Sequence, residues 1–180
     1  MRLTALAPAC ISTLFLALPV YAAGSDSSTP PKPTETSTEC EDGMVYDEKT
    51  RTCIKSSAAL IDDDSRYAAV RELAYAGRYD SAMMVMDTAR TPGDPRFLNY
   101  RGFVHRKQGD LDTAMAYYRR ALAADPDHVL ARSYMGQGLI EQGDLAGALG
   151  QLREIAARGG RDTWAYAALE GALRGMPTTY

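Results

Sequence analysis

Asn99-Tyr-Arg-Gly-Phe-Val-His-Arg-Lys-Gln-Gly-Asp-Leu-Asp-Thr-Ala-Met-Ala-Tyr-Tyr-Arg-Arg-Ala-Leu-Ala-Ala-Asp-Pro126 decides the fold, because its pattern returns 34 residues later. Tyr100, Gly102, Gln108, Gly109, Asp110, Leu111, Ala114 and Ala121 are answered by Tyr134, Gly136, Gln142, Gly143, Asp144, Leu145, Ala148 and, more loosely, Ile155. A 34-residue period with small residues at fixed places predicts stacked helical hairpins.

The quoted stretch resembles a tetratricopeptide repeat. In that likeness Gly102 stands where the two helices of a unit cross, Gly109 sits in the turn, Ala114 and Ala121 make the tight inter-helix contacts, and Pro126 breaks the chain. A following unit, 129–162, keeps Gly136, Gly143 and Ala148 but has Gly160 where the family usually places Pro. An earlier unit, about 63–94, keeps Gly77, Tyr79, Ala82 and Ala89, has Val70 near the crossing Gly, and slips in register by two residues. The resemblance implies an all-α fold: a short solenoid of three helical hairpins with the middle unit at 95–128, within a domain spanning 58–176. Its usual business is holding other proteins. Three units leave the last apolar face uncovered, so a cap is required; the stretch 162–174, with Trp164, Tyr166, Leu169 and Leu173, supplies it.

Local signals agree with the period. Asp94-Pro95 is an N-cap followed by Pro at the first helical position, and Asp127 after Pro126 repeats the device. Gly77, Gly109 and Gly143 each end a helix in a left-handed conformation, while Asp80, Asp110 and Asp144 cap the next.

The ends speak to location. Residues 1–22 read as a secretory signal, with Arg2 as the positive start, 11–20 as the apolar middle and Val20-Tyr21-Ala22 as the cleavage site. Without them the chain carries 19 basic against 23 acidic residues, which gives no electrostatic footprint for nucleic acid. No other segment has membrane-spanning length, so no stable membrane insertion follows cleavage. A periplasmic product is the expectation. Residues 23–39 are Ser, Thr and Pro with scattered charge, and read as a flexible spacer. Cys40 and Cys53 remain as an even pair in an oxidising compartment and are expected to close a small disulfide loop, 40–54. Within it, 44–46 pairs with 51–53 across a turn at 47–50.

The resemblance also assigns a binding face, because in the family the first helix of each unit lines the concave side. The inward residues are then Tyr67 and Arg71; Arg96, Asn99, Phe103 and Arg106; and Leu130, Ser133 and Gln137. Three cations beside Tyr67 and Phe103 suit an acidic or carboxylate-bearing peptide. The clamp by which some relatives hold a chaperone's tail needs Lys, Asn and Arg at five places that here carry Tyr67, Arg71, Tyr100, Leu130 and Tyr134, so that subclass is excluded.

Chemistry is hard to assemble. His105 and His128 are the only histidines, too few for a nucleophile and base pair, and His105 reads as a packed core residue. Asp62-Asp63-Asp64 lacks the spacing, Gly and distal Glu of a calcium loop. No catalytic residue, metal or cofactor is expected. The reading is an exported, non-enzymatic scaffold for another envelope protein or peptide. The alternatives are glycan attachment through the disulfide loop and a purely structural homodimer.

Overall fold

The structure, a computed structural model, describes residues 29–177. The expected leader, 1–22, and the start of the spacer lie outside the described residues. A four-residue helix, α1 (Glu35–Thr38), is followed by a hairpin of β1 (Met44–Asp47) and β2 (Thr52–Lys55). Three antiparallel pairs come next: α2 (Asp63–Tyr75) with α3 (Tyr79–Met86), α4 (Pro95–Lys107) with α5 (Leu111–Ala124), and α6 (Val129–Glu141) with α7 (Leu145–Ala157). A 3-10 turn, Gly160–Asp162, leads into α8 (Trp164–Leu173).

Each pair forms for local reasons. Gly109 has φ 86°, and a side chain there would have to adopt the left-handed region that only glycine enters without strain. The chain therefore reverses at once, and Asp110 accepts from the Thr113 amide to start α5. Asp94 and Asp144 cap α4 and α6's partner α7 in the same way. Two expected caps are absent. The first pair turns early enough that α3 begins at Tyr79 after an uncapped Arg78, which leaves Asp80 inside the first turn. His128 precedes α6 without a capping bond, and the Asp127 carboxylate is instead taken by Arg158, 3.0 Å away.

Successive units nest through small residues. A Cβ on Gly102 would sit 2.6 Å from the Tyr118 ring, so glycine is what lets α4 and α5 cross so closely. Leu169 of α8 occupies the corresponding space over Gly136 and buries the last unit's open flank. One core cluster runs from Val45 through Leu73, Val85, Phe97, Tyr118, Leu130 and Ile155 to Leu169. His105 is not in it: the ring lies half-exposed, stacked on Tyr117 and 3.3 Å from the Asp110 carboxylate.

The N-terminal segments also depart from expectation. The Cys40–Cys53 disulfide forms, but the hairpin is no separate loop. Val45 enters the repeat core, and the Arg78 guanidinium donates to the Cys40 and Ser37 carbonyls and pairs with Asp42. Strand pairing runs from Met44↔Lys55 to Asp47↔Thr52, two residues past the expected ladder on the second strand. The spacer is ordered where it meets the repeats. Glu72 of α2 accepts from the Thr34 amide, the Thr34 hydroxyl and the Ser37 amide, fixing α1 on the first unit. The reason is electrostatic: a mostly buried carboxylate gathers three donors, and the helix is held by them despite a lack of large apolar residues.

Candidate functional site

Spacing along α4 puts Arg96, Asn99, Phe103 and Arg106 on one face, since residues three and four apart on a helix are neighbours. Tyr67 and Arg71 share such a face on α2, and Leu130, Ser133 and Gln137 share one on α6. Tyr75, one turn past Arg71 on the same row, went unassigned at the sequence level and changes the character of the site. Its ring stacks on Phe103 at 5.6 Å with the planes 4° apart and lies 6.0 Å from Trp164 of α8. Its hydroxyl is 2.6 Å from that of Tyr134 on α6. The first unit's inner helix thus reaches across the curve to the last, and the middle of the trough is filled by aromatic side chains. The row spacing of Tyr67, Arg71 and Tyr75 carried the signal.

The filled trough explains why Tyr67, Asn99, Phe103, Arg106, Leu130, Ser133 and Gln137 are all buried rather than presented as an open groove. Arg71 and Arg96 keep partial exposure at its edge. The expected trio of cations is also largely committed. Arg96 holds Asp94 at 2.7 Å and Asp64 at 2.8 Å, and hydrogen bonding to Asp94 above all raises its pKa further above the ordinary guanidinium value. Arg106 pairs with Glu141 at 2.5 Å and donates to Gln137, with its guanidinium over the Phe103 and Tyr134 rings. From Gln137 the bonds run on to the Ser133 hydroxyl and then to the Ala165 carbonyl. Arg106, Gln137 and Ser133 therefore tie α4, α6 and α8 together; they do not reach out to a ligand. Burial also pushes the neighbouring Lys107 ammonium below its ordinary range.

What remains is a compact group at the first two units. The Tyr67 ring lies beneath two guanidinium groups, with Arg96 at 5.0 Å and Arg71 at 5.9 Å from its centroid. One turn along α4 from Arg96, Asn99 is 0% exposed, and neither its amide oxygen nor its amide nitrogen has a hydrogen-bond partner among the described residues. Buried polar atoms are almost always paired, so this orphaned amide is a cost to the fold, and at 0% exposure it presents nothing to a ligand; the accessible donor at this edge is Arg71. Among the described residues no group of three or more His, Cys, Asp or Glu side chains is placed to hold a metal ion, and no helix is long and apolar enough to cross a membrane.

Comparison with known proteins bears on the repeats as a whole. Two tetratricopeptide repeat models match the chain, one over residues 67–129 and the other over 105–173. A 98-residue stretch is 34% identical to part of a probable biofilm formation methyltransferase, WspC, of Pseudomonas putida. That stretch is 53% of this chain, which spans only 23% of the longer protein. No solved structure matches the chain.

Proposed function

The chain belongs to the tetratricopeptide repeat family, and from that premise we propose that it is a non-enzymatic scaffold of the cell envelope that holds an extended segment of another protein. The face between α2 and α4 is the binding surface. The carrying observation is Arg71: partly exposed at the edge of the filled trough and set over the Tyr67 ring, its guanidinium already donates to one extended backbone, the Thr29 carbonyl, and can donate to the carbonyls of a partner in the same way. That chemistry reads backbone rather than side-chain charge. It replaces the acidic-peptide reading, which needed Arg96 and Arg106 uncommitted. Export follows from the leader-like 1–22 and is supported by the disulfide, since such bonds persist in oxidising compartments. Glycan attachment through the disulfide loop is the less supported reading, since Tyr46 is the sole aromatic residue of that loop and sugar rings stack on several. The WspC likeness covers too little of that protein to carry methyl transfer across.

A random peptide library displayed on phage and selected against the chain tests the reading. Selected peptides should weaken about tenfold or more on Arg71→Ala, as expected for a lost charge-assisted hydrogen bond. They should be unchanged by Leu145→Ser, which alters an exposed residue on α7. Binders that ignore Arg71 would overturn the assignment.

A further inference from the structure

We propose that Thr29–Pro33 is a built-in strap that competes with an incoming partner for Arg71; the inference rests on the reading that the α2 and α4 face is the binding surface. Three observations carry it. The strap is anchored at one end, where Thr34 and Ser37 bond to Glu72. Glu72 directly follows Arg71 on α2, and the preceding segment crosses the helix so that the Thr29 carbonyl accepts from the Arg71 guanidinium at 3.2 Å. Between these two points lies Pro30-Pro31-Lys32-Pro33, with Pro31 partly buried beside exposed neighbours.

The composition fits the task. Prolines at three of four positions hold a segment extended and remove its backbone donors, leaving a row of carbonyl acceptors. A guanidinium supplies donors only, so the two are complementary. Arg71 is one of the two partly exposed cations over Tyr67, and a segment lying on it shares the edge of the site that contains Arg96 and Asn99. The strap offers in cis what a partner would offer in trans: an extended backbone presenting carbonyls. Its tether to α1 makes it effective despite few contacts, because a short linker holds it at roughly millimolar local concentration. A strap closed nine-tenths of the time leaves about one chain in ten competent and weakens a partner about tenfold.

The test compares a chain beginning at Ala23 with one beginning at Thr34, which keeps α1, the disulfide and every later helix. The probe is a fluorescent synthetic peptide copying residues 24–33, followed by anisotropy. Nine-tenths closure at that local concentration corresponds to a dissociation constant on the order of 0.1 mM for the shorter chain. The longer chain should bind about tenfold more weakly, and Arg71→Ala in the shorter chain should abolish the signal. Equal binding to both chains, binding to neither, or binding indifferent to Arg71 would overturn the strap. Library-selected peptides supply the second readout. If they need Arg71 yet bind both chains equally, the strap fails and the binding face stands; if they ignore Arg71, the face itself fails and the strap with it.

Discussion

Asn99→Leu should stabilise the protein. Leucine keeps the branch at Cγ and removes one donor and one acceptor that are buried without partners among the described residues. Each orphaned group costs about 1–3 kcal/mol, and replacing it with an apolar atom of similar shape recovers that cost less some strain. A net gain of about 2 kcal/mol is expected, which for a domain of this size raises the melting temperature by about 4–8 °C. Circular dichroism melting of the parent and variant measures the shift, and affinity for library-selected peptides should stay unchanged, because the wholly buried amide touches no ligand. A variant that melts at or below the parent would refute the reasoning, since the amide would then already contribute to the folded state.

Three other outcomes follow from the fold. Reducing Cys40–Cys53 opens a loop with a sequence separation of 13, and should remove about 3 kcal/mol in the chain-entropy model; because Val45 belongs to the repeat core, the loss should appear as a lower midpoint for α2 and α3 in hydrogen exchange, with α7 and α8 less affected. Gly109→Val should lower the melting temperature more than Gly138→Ala, because Gly109 has φ 86° whereas Gly138 is helical and a Cβ there meets Met115 Sδ and Arg106 Cδ at 3.3 and 3.4 Å, a tight contact relieved by a shift of a few tenths of an ångström; equal midpoints would contradict the turn assignment. Burial pushes the Asp63 carboxyl up, but hydrogen bonds from the Arg90 and Thr91 amides and the Arg66 guanidinium outweigh it and hold it below its ordinary value. Its stabilisation is therefore present above the unfolded pKa of about 4 and lost as pH falls through the lower folded value, so urea midpoints should hold steady down to about pH 5 and drop below about pH 4. Asp63→Asn should be less stable at pH 7 and less acid-sensitive; an acid limb as steep as the parent's would remove Asp63 as a cause.

The parts legible in the sequence are those decided within a few residues. A glycine that ends a helix and an Asp that caps the next need only each other, and the turns at Gly77, Gly109 and Gly143 carry the positive φ their positions imply. Asp127 was misread for the opposite reason: its carboxylate answers Arg158, 31 residues away, which no local pattern reports. The cysteine pair was legible by count and compartment, but its docking was not, because Arg78 recruits backbone carbonyls that no side-chain pattern encodes. Helical spacing put the nine residues on one row of each inner helix, and all but Arg71 and Arg96 are buried. Whether that face is open depends on how tightly the units curve, and this is fixed by Tyr75 meeting Trp164 between the first unit and the closing helix.

That curvature bears on how the protein can recognise anything. A broad, open trough binds by spreading modest contacts over a large area, whereas here the aromatic bridge and the Arg106, Gln137 and Ser133 relay occupy most of the inward surface. Affinity must then come from a few well-placed groups, and buried area is in any case a poor measure of binding strength. Arg71 over the Tyr67 ring is such a group, for that ring is fixed in the core, and the chain's own Thr29 already engages the guanidinium. Bonds to a peptide backbone fix direction but say little about sequence. Selectivity on this face therefore has to come from the residues around that point, and the partly exposed Arg96, held at the same edge by Asp94 and Asp64, is the one placed to supply it.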